Sequence, residues 1–147
     1  MSAPATPREV HARLLDLISA GRWSELPALY AEDAVVEIVF SPTPPRRIQG
    51  RDELRQRFAA LAAADAIRLR AENIHVHGTD DPEVVIAEFD YEALHPATGR
   101  TFRTPNIQVL RVRDGLIVET RDYHDHLAFA VANGRAGRLL AALDQQA

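Results

Sequence analysis

The stretch Gly115-Leu116-Ile117-Val118-Glu119-Thr120-Arg121-Asp122-Tyr123-His124-Asp125 decides how this chain is read. It opens as an apolar strand and ends in a dense set of ionisable groups. Upstream, Thr104 to Val112 reads as another strand, joined to the first by Arg113-Asp114-Gly115. That turn sets which side chains share a face, because a slip of one residue carries a whole strand's side chains to the other side of a sheet. Two geometries compete. A two-residue Asp-Gly turn pairs Val112 with Ile117 and leaves Leu110 opposite Glu119. A three-residue loop with a left-handed Gly115 pairs Val112 with Leu116. Leu110 then meets Val118, Gln108 meets Thr120, Asn106 meets Asp122 and Thr104 meets His124. The second register keeps apolar opposite apolar and polar opposite polar, and it is the one expected.

The preceding strand, Val84 to Ala93, ends in the loop His95-Pro96-Ala97-Thr98-Gly99. Pairing Glu92 with Thr104 puts Asp90 beside Asn106, Glu88 beside Gln108, Ile86 beside Leu110 and Val84 beside Val112. One face then has an apolar floor of Val84, Ile86, Leu110, Val112, Leu116 and Val118. Its mouth holds Glu88, Gln108, Thr120, Asp90, Asn106, Asp122, Glu92, Thr104 and His124. An apolar floor under converging polar groups is the usual build of a small-molecule site.

The rest of the chain fits one domain over residues 1–147. Its 147 residues are 46% hydrophobic, with a net charge of −4. That charge, and the lack of a basic run longer than Arg46-Arg47, argue against a non-specific grip on nucleic acid. The absence of cysteine removes disulfides, thiolate nucleophiles and cysteine-held zinc. No apolar run suits a leader or a membrane span, so a cytoplasmic location is expected. Thr6 before Pro7, with Glu9 following, signals a helix start, and Val10, Leu14, Leu17 and Ile18 form its stripe. Trp23 to Tyr30 reads as a short helix, Ala34 to Phe40 as a strand, and Ser41 to Pro45 as irregular. Gly50 to Ala64 reads as a helix capped by Asp52, Leu69 to His77 as a strand, and Leu127 to Leu143 as a helix weakened at Gly134 and Gly137. Helices segregated from an antiparallel sheet make an α+β fold.

The segment Ala20 to Glu37 resembles the start of a nuclear transport factor two-like domain, as do Gly50-Arg51-Asp52-Glu53-Leu54 and Arg121-Asp122-Tyr123-His124-Asp125. That superfamily includes ketosteroid isomerases, limonene epoxide hydrolases and small polyketide cyclases. The resemblance implies a curved antiparallel sheet wrapped by the helices into a cone with an internal pocket, and a dimer formed through the sheet. Compared residue by residue, the isomerases' general base matches Ile38, their oxyanion tyrosine matches Leu14, and their protonated aspartate falls near Gln108. None of that apparatus is present. The epoxide hydrolases' two aspartates match Asp90 and Asp122, but their arginine matches Glu88, and their water-holding pair matches Val36 and Ile38. The cyclase pattern, an aspartate on the last strand with polar partners on the strand before it, fits Asp122 with Asn106 and Gln108 best.

The chemistry expected is cofactor-free proton transfer. Asp122 and Asp90, two strands or roughly 10 Å apart, are the candidate catalytic groups, with Glu88 diagonal to both. Acids crowded in an apolar pocket raise one another's pKa, which suits general acid–base work near neutral pH. Asn106, Gln108 and His124 are expected to hold or relay. Val36, Ile38, Phe40, Tyr30, Phe58 and Phe129 are expected to wall the ligand. His75 and His77 share a strand face, but strand-end histidines are usually solvated, so no metal is expected. The substrate expected is a small apolar metabolite bearing carbonyl or hydroxyl groups, undergoing cyclisation, isomerisation or dehydration. The alternatives are a ligand carrier or protein-association domain, and an epoxide hydrolase-like enzyme. On the opposite sheet face the same register places Val85, Phe89, Tyr91, Ile107 and Val109, fringed by Arg103, Arg111 and Arg121, which suits a homodimer interface.

Overall fold

The computed structural model describes residues 2–147; Met1, the first residue of the segment scanned for a leader, lies outside them. Helix α1 (Pro7–Ser19) starts where the capping signal predicts. Thr6 Oγ1 accepts from the Glu9 amide, and the Glu9 carboxylate accepts from the Thr6 amide at 2.7 Å. A 3-10 segment, Trp23–Leu29, carries Pro27 inside it. It runs directly into β1 (Tyr30–Val39), so Tyr30 opens a strand rather than lying on a helix. A short β2 (Arg47–Gln49), not anticipated, follows the proline-rich loop. Helix α2 (Arg51–Ala64) is entered through Gly50 at φ 91°, while the expected cap, Asp52, binds Arg55 instead. Then come β3 (Arg68–Gly78), β4 (Val84–His95), β5 (Arg100–Arg113) and β6 (Leu116–Tyr123). The tail divides at Gly134, φ 67°, into α3 (His126–Ala132) and α4 (Ala136–Asp144).

The six strands form one curved, unclosed sheet in the order β2-β1-β6-β5-β4-β3. All neighbours are antiparallel except β1 and β6, which run parallel. Helix α1 lies across β3, β4 and β5, and α2 packs on the 3-10 segment, β1 and β2. The core is Val10, Leu14 and Leu17 from α1 with Leu26, Leu54, Val36, Leu110, Val112 and Ile117. Among the described residues, no helix is long and apolar enough to cross a membrane.

The pairing corrects the sequence reading in two places. The β5–β6 connection is the two-residue turn, with Asp114 at φ 52° and Gly115 at φ 78°, as a type I′ hairpin needs. Val112 pairs with Ile117, but Arg111 then pairs with Glu119, so Val118 is an extra residue in a bulge. Turn and bulge together shift the register by two, giving Leu110 with Thr120 and Gln108 with Asp122. Asp122 therefore keeps the face predicted for it, beside a different partner.

The second correction moves residues across the sheet. Strand β4 is one residue out from expectation: Val85 pairs with Leu110, Ala87 with Gln108, Phe89 with Asn106 and Tyr91 with Thr104. The inner face takes Val85, Ala87, Phe89 and Tyr91, all buried, and the floor is Val85, Leu110, Val112 and Ile117. Glu88, Asp90 and Glu92 point to the outer face. Burying three carboxylates without partners would cost several kcal/mol each. Outside, they meet partners: His77 lies 2.7 Å from Glu88, Asn73 donates to Asp90 at 2.9 Å, and Arg70 reaches Glu92 at 3.3 Å.

Candidate active site

Between the inner sheet face and the helices lies a cavity of about 310 Å³. Leu14 and Ile18 of α1, Leu54 and Phe58 of α2, Val36 and Ile38 of β1, Trp23 and Phe129 make it largely apolar. Its polar groups are Tyr30, Tyr91, Gln108, Asp122, His124 and His126, with the exposed Arg57 also on its lining. Asp122 is the one carboxylate on that lining among the described residues.

A chain of polar contacts crosses β5 and β6 at this end. His11 Nε2 lies 3.1 Å from Gln108 Oε1, and Gln108 Nε2 donates to Asp122 Oδ1 at 2.8 Å. The other Asp122 oxygen lies 3.8 Å from His124 Nε2. His124 Nδ1 lies 2.8 Å from Asn106 Oδ1, and Asn106 Nδ2 donates to the Thr104 carbonyl at 3.1 Å. Because the Asn106 amide is oriented by that last bond, its Oδ1 accepts from His124 Nδ1–H, and Nε2 of the ring faces Asp122. The Asp122 side chain is 15% exposed and that of His124 25%, so the pair is accessible from the cavity but mostly dry.

Local electrostatics follow from burial. Burial pushes the Tyr30 and Tyr91 phenols well above their ordinary range, and the Asp122 charge adds to it, so both stay protonated. Burial also lowers the His11 imidazole, against the opposing effects of Gln108 and Asp122. His126 is lowered for the same first reason while its Nε2 donates to the Val39 carbonyl at 3.2 Å.

Asp122, Gln108, His124, Val36, Ile38, Tyr30, Phe58 and Phe129 thus line one cavity as expected. Asn106 reaches it through His124. Asp90 and Glu88 do not: they face a separate depression on the outer side of the sheet, with Asn73 and His75. Phe40 also leaves the cavity. It sits one residue past β1 at φ 63°, 78% exposed, edge-on to Tyr123. The expected cluster of three acids is therefore not formed. His77 pairs with Glu88, and no group of three metal-ligating side chains occurs among the described residues.

Sequence reasoning missed His11 and set Tyr91 on the opposite face of the sheet. For His11 a signal existed, since His11, Leu14, Leu15 and Ile18 follow the 3.6-residue period as well as the stripe that was read. For Tyr91 it lay in the apolar odd positions Val85, Ala87, Phe89, Tyr91 and Ala93.

The family model described as a SnoaL-like domain matches residues 11–120. The uncharacterised protein YesE of Bacillus subtilis is 33% identical over 121 residues, covering 76% of this chain and 74% of its own. A solved Bacillus subtilis protein provisionally named an isomerase superposes with a TM-score of 0.78 at 27% identity, over 88% of this chain and 93% of its own. One from Xanthomonas campestris pv. campestris, provisionally named a polyketide cyclase, gives 0.72 at 20% identity, over 86% and 96%.

Proposed function

Since the chain belongs to the SnoaL-like family of the nuclear transport factor two-like superfamily, we propose that it is a cofactor-free acid–base enzyme in which Asp122 moves the proton. The substrate class is a small apolar metabolite bearing carbonyl or hydroxyl groups, and the reaction is a cyclisation, isomerisation or dehydration. The observation that carries this reading is a single carboxylate at the polar end of an apolar cavity, held by Gln108 and facing His124.

Each group has a definable part. Gln108 occupies Oδ1 of Asp122, leaving Oδ2 for the reacting proton. His124, its tautomer set by Asn106, can take that proton at Nε2 and return it. The neutral phenols of Tyr30 and Tyr91 have no hydrogen-bond partner among the described residues and suit a developing oxyanion. A carrier would have its acids solvated or neutralised by arginine, whereas Asp122 is mostly buried and meets an amide and an imidazole. An epoxide hydrolase-like mechanism needs a second acid in the cavity, and Asp90 lies on the other face.

The same reading includes a cytoplasmic homodimer. Val85, Phe89 and Tyr91 are inside and unavailable to a partner, but Ile107 is 43% exposed on the outer face, near Val109 and the Phe40–Tyr123 pair. These form the apolar surface for a second copy.

The test needs no prior substrate. A panel of apolar ketones and β-dicarbonyl compounds is incubated in D2O, and enzyme-dependent deuterium uptake beside the carbonyl is followed by NMR. Asp122→Asn keeps shape and hydrogen bonding but should lower turnover by roughly a hundredfold or more, with binding little changed. Tight binding without exchange by the wild type, across the panel, would favour the carrier.

A further inference from the structure

We infer that His11 is a positioning residue: through Gln108 it holds Oδ1 of Asp122 as a hydrogen-bond acceptor and so confines the exchanging proton to Oδ2. The inference rests on the reading of Asp122 given above.

The geometry is that of a one-way chain. His11 is fully buried on α1, its ring 5.7 Å from that of Phe89, and its Nδ1 has no hydrogen-bond partner. Its Nε2 meets Gln108 Oε1, and the far end of the same amide, Nε2, meets Asp122 Oδ1. An amide has one donating and one accepting end. With Nε2–H on His11, the carbonyl of Gln108 turns toward the imidazole and its NH2 toward Asp122, which must then accept. Turned end for end, Gln108 would present its carbonyl to Asp122, which would have to carry a proton. His11 would then accept at Nε2 and hold its hydrogen on Nδ1. That hydrogen would be a buried N–H with nothing to bind, and an orphaned donor is the costlier defect. The dry surroundings of Nδ1 therefore select the tautomer, the tautomer selects the amide orientation, and the amide holds Oδ1 of Asp122 as an acceptor, leaving Oδ2 for the exchanging proton. Burial keeps the ring neutral, as this requires.

For a carbonyl substrate of the class proposed above, the step at Oδ2 balances. Oδ2 of Asp122 takes the proton from a carbon beside a carbonyl. The C–H bond breaks, its electron pair passes into an enolate, and an O–H bond forms on the carboxyl. The same proton then returns to another carbon of the enolate in an isomerisation. In a cyclisation the enolate carbon bonds to a second carbonyl carbon, and the proton goes to the alkoxide so formed. Nothing is oxidised or reduced.

The first measurement is the 15N spectrum of the His11 ring in the wild type, across about pH 5 to 8. The expected signature is a neutral ring protonated at Nε2. An Nδ1–H tautomer or an imidazolium would overturn the inference without any variant. The second uses His11→Phe, which keeps a ring beside Phe89 but removes the donor, and His11→Gln, which restores an N–H near the place of Nε2. In His11→Phe the Gln108 side-chain amide resonances should move or broaden. Carbon-acid exchange in D2O should fall by about tenfold or more, the size usual for outer partners that orient a reacting group, with KM little changed. His11→Gln should recover most of both. If Asp122→Asn abolishes exchange while His11→Phe leaves exchange and the Gln108 amide as in the wild type, the positioning role is wrong. If the tautomer and Gln108 signatures hold but exchange ignores both His11→Phe and Asp122→Asn, the fault lies with the reading of Asp122, and the claim that this residue acts as the base falls with it.

Discussion

At the scale of single residues, the inner face keeps its polar groups in graded states of satisfaction. Gln108 and Asn106 are buried and bonded at both ends, which makes the Asp122–His124 pair rigid. Tyr91 is buried with an unpartnered hydroxyl on the cavity lining. Tyr91→Phe should therefore leave the melting temperature nearly unchanged while lowering kcat, by up to the roughly hundredfold typical of losing one oxyanion donor. Steady-state kinetics beside a thermal melt separates the two effects, and an unaffected kcat would leave Tyr30 as the remaining phenol. Thr120 is the contrasting case. It is fully buried in the row of Val36 and Leu110, and its Oγ1 has no partner. Thr120→Val replaces an unsatisfied hydroxyl by a methyl of similar shape, and should raise stability by about 1 kcal/mol or more in a denaturant titration.

At the scale of elements, the β5–β6 hairpin places the catalytic candidate. Its type I′ turn alone would pair Leu110 with Glu119; the Val118 bulge adds one residue and brings Thr120 and Asp122 to the inner face. Glycine at 115 is required twice over, by φ 78° and by close approach to the amino-terminal segment, where a Cβ would lie 3.3 Å from the Ala5 backbone nitrogen. Gly115→Ala should cost about 1–2 kcal/mol. A chemical-denaturation midpoint equal to that of the wild type would show that the turn relaxes without strain. Helix α1, which supplies His11, depends on its capping box. Thr6→Ala should cost about 1 kcal/mol by the same measurement.

For the whole molecule, two global properties are at stake. His11 has its folded value lowered below the ordinary 6.5, first by burial. The unfolded chain then takes up a proton that the folded chain refuses, so stability is fully present above about 6.5 and declines as pH falls toward the lower folded value. His126 acts in the same direction. The melting temperature should drop between about pH 7 and pH 5. His11→Phe, which cannot charge, should show a shallower drop, and an unchanged slope would assign the acid sensitivity to other groups. The second property is association. Ile107→Arg places a charge on the apolar part of the outer face, close to Arg103, Arg111 and Arg121, and should yield monomer in sedimentation. A dimer of undiminished affinity would move the interface off the sheet.

The sequence by itself located most of the elements, though not β2, and the face that carries Asp122. Thr6 and Glu9 located α1, alternation located the long strands, Gly134 marked a weak point of the tail, and the family resemblance in Ala20–Glu37 implied the cone. Asp122, Gln108 and His124 were legible because the parity of β5 and β6 survived an error of two residues. What only the tertiary structure decided was the facing of β4. Matching polar with polar placed Glu88 and Asp90 beside Gln108 and Asn106. The fold instead matched acids with the arginines and histidines of the outer face, and gave the inner one to Phe89 and Tyr91. Pairing rules between two strands are weak, worth about 0.2–1 kcal/mol per pair. The desolvation of a carboxylate costs more and depends on what a third element brings to cover it. That element was α1, whose His11 completes the chain to Asp122 from 97 residues away, beyond the reach of any local pattern.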